Sequence, residues 1–349
     1  MSNTLGNRLR LHTWGESHGP RVGGVIDGFP AGITIDIQRV QSFCDRRKPG
    51  QSSITTPRKE SDIICIDSGI FESKSTGTPL AFHFDNENTK SSDYDALKDV
   101  FRPGHADSTY QTKYGFRDHR GGGRSSARET ANWVAAGALA SHIVPGIEVR
   151  AYVEEIGGIT IPSGAINFPD YDAVENSILR CPHAETELKM LRLLEEVRQT
   201  GDSLGGVITC KVKGVPAGLG DPVFSKLHAE IGKAMLSINA VKGFEYGAGF
   251  QAARLRGSEH NDLFDSDGRL IENRGGGILG GISNAEDITF RVAFKPVASI
   301  SVPQNMQTKS GGGTELSVKG RHDPCVVPRA VPIVEALTYF VLADAYLGL

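Results

Sequence analysis

Apolar residues alternate, or run together with β-branched side chains, at Arg21–Asp27 and at 63–68, 79–84, 146–156, 206–212, 247–254, 288–294 and 299–302. Each run predicts a strand. Helical spacing replaces this pattern at Ala131, Val134, Ala135, Ala138 and Leu139, and again at Leu188, Leu191, Leu194 and Val197. Further helices are predicted at 37–43 and 224–238, and a fifth at 331–347. The apolar stretch 330–349 is broken by Glu335 and Asp344 and falls short of the roughly 20 apolar residues that cross a bilayer, so it reads as a core helix. The mixture implies an α+β fold with antiparallel sheets and helices packed on them.

One pattern occurs twice. Gly23-Gly24-Val25-Ile26 leads into Gly28-Phe29-Pro30-Ala31-Gly32, and Gly205-Gly206-Val207-Ile208 leads into Gly214-Val215-Pro216-Ala217-Gly218, each followed by helical spacing. Strand-exit turns favour Gly and Pro in any case, and a duplicated unit explains the echo equally well. The expected halves are about 1–180 and 181–349, with the boundary near Arg180. No Ser/Pro/Gly-rich linker divides them, so residues 1–349 are expected to share one body.

Composition narrows the function. With 349 residues, 39% hydrophobic and 23% charged, the chain has material for a sizeable core. Lys plus Arg number 38 against 41 for Asp plus Glu, which argues against a surface shaped throughout for nucleic acid or acidic lipid. An anion site must be local. Glycine, at 42 residues, is in excess, and glycine serves where backbone must approach a ligand or adopt positive φ. Five cysteines, 44, 65, 181, 210 and 325, form no C-x-x-C pair and suit neither a disulfide framework nor a zinc site. The first residues lack an apolar leader segment, and a cytoplasmic location is expected.

The densest polar constellation runs from Arg102 to Glu129. Its six cations, Arg102, Lys113, Arg117, Arg120, Arg124 and Arg128, face Asp107, Asp118 and Glu129, a surplus that suggests an anionic ligand. Ser126-Ala127-Arg128-Glu129 has the form of a capping box, predicting a helix start there. Gly121-Gly122-Gly123 would let N–H groups, the helix end and Arg124 converge on a phosphate. Gly15-Glu16-Ser17-His18-Gly19 sets a hydroxyl and an imidazole in a tight loop, where His is the usual proton donor near neutral pH. Cations recur at Arg46-Arg47-Lys48, Arg274, Lys295 and Arg321, and Asp323 lies at a turn in Gly320-Arg321-His322-Asp323-Pro324. The segments of P-loop ATPases, of Rossmann dinucleotide binding and of zinc peptidases are absent.

Together G-E-S-H-G at 15–19, R-P-G-H-A-D at 102–107, R-G-G-G-R-S-S-A-R-E-T at 120–130 and G-R-H-D-P at 320–324 resemble chorismate synthase, in order and spacing, from about residue 5 to 340. The resemblance implies a β-α-β sandwich with internal pseudo-twofold duplication, assembled as a homotetramer. It implies a 1,4-anti elimination of phosphate from 5-enolpyruvylshikimate 3-phosphate in the shikimate pathway of aromatic amino acid biosynthesis. Reduced FMN is required without net redox change.

By motif match, Arg47, Arg102, Arg124 and Arg321 are the expected anion contacts, Arg47 and Arg102 nearer the substrate and Arg124 and Arg321 nearer the flavin, with Arg321 serving both. The resemblance places Ser125, Ser126, Asn239, Ala240, Gly280, Lys295, Pro296, Val297, Ala298 and Ser299 on FMN. It assigns His18 to protonate the leaving phosphate and His105 to donate toward the flavin. Asp323 would accept the flavin N5 proton, while Ser17 and Ser126 orient or relay. Many relatives carry Arg or Lys where this chain has Ser53. Some add an NAD(P)H-driven flavin reductase activity, for which no extra domain is available in 349 residues, so an external flavin reductase is the expected electron source. Two other classes compete: an RNA-binding protein using the Arg/Gly loop, which the acidic balance opposes, and a flavin oxidoreductase with net hydride transfer.

Overall fold

A computed structural model describes residues 3–50, 60–87, 97–120, 122–317 and 323–349. Ser53 and Arg321 lie outside the described residues. The first half supplies β1 (Thr4–Leu5), β2 (Arg10–Gly15), β3 (Arg21–Asp27), helix α1 (Ile37–Arg47), β4 (Cys65–Ser68), the hairpin β5 (Ile70–Phe71) and β6 (Lys74–Ser75), and β7 (Leu80–Asp85). After β8 (Val100–Phe101) come α2 (Asp107–Tyr114) and α3 (Thr130–Ala140). The second half supplies β9 (Glu148–Ile156), β10 (Ile159–Thr160), α4 (Tyr171–Glu175), α5 (Ala184–Thr200), β11 (Gly206–Lys213), α6 (Leu227–Leu236) and β12 (Val241–Tyr246). It continues through α7 (Gly257–His260), the hairpin β13 (Ile278–Leu279) and β14 (Ile282–Ser283), β15 (Ile288–Phe294), β16 (Gln304–Thr308), β17 (Gly313–Leu316) and α8 (Val327–Tyr346).

Two five-stranded antiparallel sheets result, in the orders β1-β2-β3-β7-β4 and β10-β9-β11-β15-β12. Val25 of β3 faces His12 and Ala81, and Cys210 of β11 faces Ala151 and Phe290. Helices fill the space between them. α3 packs on β3 and α8, α8 on β9 and β11, and α6 on α8 and β12. Both α3 and α8 are buried nearly all round, which is why their sequences read as apolar rather than amphipathic.

The two copies of the sequence echo make matching hydrogen bonds. In the first half Gly32 N donates to Ser75 O, Ile33 N to Ser75 Oγ and Ser75 Oγ to Pro30 O, at 2.8, 2.9 and 2.5 Å. In the second, Gly218 N donates to Ser283 O, Leu219 N to Ser283 Oγ and Ser283 Oγ to Pro216 O, at 2.9, 2.9 and 2.6 Å. The glycine-proline turns of the sequence echo are therefore the same structural part used twice, each locked by a serine from a short hairpin. The change of sheet comes before Glu148 rather than near Arg180, because β9 pairs with β11, and Arg180 O accepts from Val153 N of β9 at 2.9 Å.

Two strand expectations fail. Residues 247–254 form no strand: Gly247 and Gly249 take positive φ, Gly249–Arg254 coils into a 3-10 turn, and the strand lies just upstream as β12. Residues 299–302 join no ladder, although Ser301 N donates to Gly201 O at 2.9 Å. Among the described residues, no helix is long and apolar enough to cross a membrane.

Candidate active site

Segments from both halves meet around a cavity of about 320 Å3. Arg47 enters it from the end of α1, and Gly104, His105 and Ala106 from the turn before α2. Ser125 and Ala127 come from the glycine loop, Thr130 from the start of α3, and Ile238, Asn239 and Ala240 from the turn after α6. Phe294, Lys295, Pro296, Val297 and Ala298 line another side, and Val326, Arg329, Ala330 and Ile333 project from α8 and the residue before it. The wall is mostly apolar. Its charged members are Arg47, Lys295 and Arg329, with His105 beside them and no Asp or Glu among the lining residues.

These segments hold one another. Asn239 Nδ2 donates to Ser125 O at 2.7 Å, Lys295 N to Ala240 O at 2.9 Å and Lys295 Nζ to Gly104 O at 3.1 Å. Ala240 sits at φ 69°, an uncommon conformation for a residue with a Cβ, kept by these flanking bonds. Gly122 has φ 93°, and a Cβ there would stand 3.3 Å from His105 Cε1. A glycine at 122 therefore lets the imidazole lie against the loop backbone.

The cations of the 102–128 loop behave differently from expectation. Arg102 donates to Asp107 through Nε at 2.8 Å and Nη2 at 3.0 Å, and Arg117 adds a bond to the same carboxylate at 3.3 Å. Arg120 pairs with Asp118, Arg124 with Glu129 and Arg128 with Asp62. Cations that leave water need a counter-charge; Arg102, Arg117, Arg124 and Arg128 find one as they are wholly or partly buried, while Arg120 pairs at the surface. Most loop cations are thus ion-paired, yet Arg102 and Arg117 share Asp107 and Arg128 shares Asp62 with Arg47, so a net positive charge remains. Arg102 is buried off the cavity wall, and its Nη2 lies 3.1 Å from His105 Nδ1, which is also 3.0 Å from Asp107 Oδ1. Burial alone would raise the Asp107 carboxyl, but hydrogen bonds from Arg102 and His105 outweigh it and hold it well below the usual carboxylate range.

Arg124 faces a second cavity, of about 350 Å3, that includes Thr13, Tyr110, Glu129, Trp133 and Lys233. Its guanidinium donates to Gly15 O, Thr13 O, Thr13 Oγ1 and both Glu129 oxygens, at 2.6 to 3.1 Å. The predicted capping box does not form. Ser126 Oγ accepts from Arg128 N at 3.3 Å and caps a 3-10 turn, Ala127–Glu129, while Glu129 turns to Arg124, and α3 begins at Thr130.

Of the expected site residues, the structure brings Arg47, His105, Ser125, Asn239, Ala240, Lys295, Pro296, Val297 and Ala298 to the first cavity. Ser126 lies between two of its lining residues. Asp323 stands behind the wall, accepting from Arg329 Nη1 at 2.5 Å. Ser17 is buried with Oγ 3.1 Å from His18 Nδ1, in a loop packed on the glycine turn, for a Cβ on Gly123 would meet Glu16 Oε2 at 2.8 Å. Gly280 turns the β13–β14 hairpin and Ser299 follows the lining segment; neither lines the cavity, and Ser17 and His18 are not among its lining residues either.

Arg329 was missed in the sequence, although an arginine in the first turn of an otherwise apolar helix is itself a signal. Asp62 carries no comparable signal in the sequence: it is buried at φ 48° and bridges Arg47 and Arg128. The two guanidinium groups outweigh the effect of its burial and hold its carboxyl low.

The chain is similar to known proteins over nearly its whole length. The family model described as chorismate synthase matches residues 9–347. A protein named chorismate synthase from Parabacteroides distasonis is 57% identical over 349 residues, covering 98% of this chain and 97% of that protein. One of the same name from Christiangramia forsetii is 54% identical over 345 residues, covering 99% and 97%. A solved structure titled as a crystal structure of chorismate synthase superposes with a TM-score of 0.75 at 30% identity, covering 98% of this chain and 92% of that one. With the motifs, the paired sheets and full-length relatives in agreement, the chain belongs to the chorismate synthase family, lyases that form chorismate by eliminating phosphate from 5-enolpyruvylshikimate 3-phosphate.

Proposed function

We propose that the 320 Å3 cavity is where the chain binds 5-enolpyruvylshikimate 3-phosphate against reduced FMN. The observation that carries this reading is a wall with three cationic side chains, no acid, and three buried polar atoms lacking partners: Arg47 Nε, Arg329 Nε and Asn239 Oδ1. Burial pushes the Arg329 guanidinium and the Lys295 ammonium down from their ordinary values, with too little anion nearby to offset it fully. A phosphate dianion or a carboxylate would supply the acceptors that Arg47 and Arg329 lack, Asn239 Oδ1 calls for an N–H or O–H donor on the ligand, and the apolar remainder of the wall suits flat rings. These features fit FMN as well as substrate.

When bound, reduced FMN supplies electron density to the ring as phosphate departs and recovers it afterwards. The protein's part is binding and proton placement. Arg47 and Arg329 grip oxyanions, and Lys295 supports them from the opposite segment. His105 presents its ring at the cavity wall with Nδ1 held between Arg102 and Asp107. His18, backed by Ser17, donates a proton to the leaving phosphate, and Asp323 acts through its contact with Arg329. Arg124 shapes the loop that carries Ser125 and Ser126. FMN reduced by an external NAD(P)H-driven flavin reductase, a homotetrameric assembly and a cytoplasmic setting complete the reading. The RNA-binding alternative loses support because the Arg/Gly loop is internally paired.

The test is an anaerobic assay with photoreduced FMN and 5-enolpyruvylshikimate 3-phosphate, following phosphate release. Turnover without stoichiometric NADPH consumption is expected, and steady NADPH consumption coupled to product would establish net hydride transfer instead. In the same assay His18→Ala should lower turnover by roughly 10²- to 10⁴-fold with FMN binding intact.

A further inference from the structure

Asn86, just after β7, makes four contacts that join otherwise separate parts of the site. Its side-chain Nδ2 donates to Glu16 O at 3.1 Å and Gly19 O at 2.8 Å, the carbonyls on either side of Ser17 and His18. Its backbone N donates to Pro20 O at 2.9 Å. Its Oδ1 accepts from Arg128 Nε at 2.8 Å. Arg128 in turn pairs with buried Asp62, whose other oxygen holds Arg47 on the cavity wall. A further Arg128 bond, Nη2 to Asp85 O at 3.0 Å, fixes the guanidinium against the end of β7. The amide orientation is set by its neighbours, because only Nδ2 can donate to two carbonyls and only Oδ1 can accept from a guanidinium.

We propose that Asn86 is a positioning residue that clamps the Glu16–Gly19 loop and, through Arg128 and Asp62, sets Ser17 and His18 in fixed relation to Arg47. This rests on the reading of His18 as the proton donor. Within the loop Gly19 N donates to Glu16 O at 3.0 Å, closing the turn, and Asn86 supplies bonds to both of its ends. A proton donor must lie within hydrogen-bond reach of the departing oxygen, and a displacement of about 1 Å costs on the order of 10²-fold in rate. Asn86 is not among the residues lining the cavity, so its loss is expected at the chemical step rather than in ligand binding.

Two variants separate the parts of the clamp. Asn86→Asp keeps an acceptor for Arg128 but turns oxygen toward the carbonyls of Glu16 and Gly19; Asn86→Ala removes both functions. Each should lower kcat about 10- to 100-fold, with KM and the Kd for reduced FMN nearly unchanged. Hydrogen exchange at residues 16–19 should quicken in both. In a His18→Ala background, adding Asn86→Ala should cause no further loss, because the clamp acts through that histidine. Unchanged exchange, normal kcat, or a full multiplicative loss on top of His18→Ala overturns the proposal. A His18→Ala enzyme with full turnover would instead remove the proton-donor role of His18 and take this proposal with it. A slow His18→Ala enzyme beside a fast Asn86→Ala enzyme would defeat the clamp alone.

Discussion

Gly137 lies in the middle of α3, where intrinsic propensity says that alanine should be better by about 1 kcal/mol. The tertiary structure reverses that expectation. A Cβ at 137 would stand 2.0 Å from the carbonyl oxygen of Ala336 in α8, 2.3 Å from its carbon and 2.6 Å from its Cα. These are backbone atoms, so no rotamer change relieves the overlap, and the helices must part by roughly 1 Å or more to restore ordinary contact. Overpacking of this kind costs about 1–3 kcal/mol, and a rigid backbone neighbour puts it at the upper end. Gly137→Ala is therefore expected to be net destabilising by about 1–2 kcal/mol, with Tm lowered by about 1–3 °C and the urea midpoint lowered at constant slope. The crossing also sets the site. Thr130 opens α3 and receives Arg47 Nη1 at 3.3 Å, while Arg329 opens α8, so parting the helices separates the two cavity arginines and should raise KM for the anionic substrate. Thermal melts and urea titrations decide the matter: an unchanged or higher Tm would show that the α3–α8 approach is looser than described and refute the reasoning.

Two further outcomes test the electrostatics. Arg329→Lys keeps a charge beside Asp323 but loses the planar fork, so affinity for the anionic substrate should fall roughly 10- to 100-fold, equivalent to about 1.5–3 kcal/mol for a charged hydrogen bond. Isothermal titration measures it, and an unaltered Kd would take Arg329 off the ligand. Asp107 has its folded carboxyl held below the unfolded value, so it contributes stability that is present above pH of about 4 and lost as pH falls through the folded value. Asp107→Asn should lower stability at neutral pH and flatten the acid limb; urea midpoints between about pH 2 and 7 that fall as steeply as in the parent would sink that account.

Much of this protein was legible from residue order. Period-two runs located β3, β7, β9, β11 and β15, and helical spacing located α1, α3, α5, α6 and α8, because local burial pattern repeats with the geometry of each element. The Gly-Pro echo marked the duplicated turns, since positive φ at Gly28, Gly32, Gly214 and Gly218 is a demand that the backbone makes on its own residue type. His105, Ser125, Asn239, Ala240 and the 295–298 segment were nameable through family motifs, and they do line one cavity. Charge was not legible in the same way. Counting cations along 102–128 could not tell which would be neutralised, because Asp62 answers to Arg128 from 66 residues away, and Arg47, Lys295 and Arg329 gather from three distant segments. Residue order alone was enough for the elements, the echo and the motif residues, all of which depend on near neighbours. Only the folded chain decided which ions pair and which face the cavity, because a buried charge is settled by whatever counter-charge the packing brings within a few ångströms.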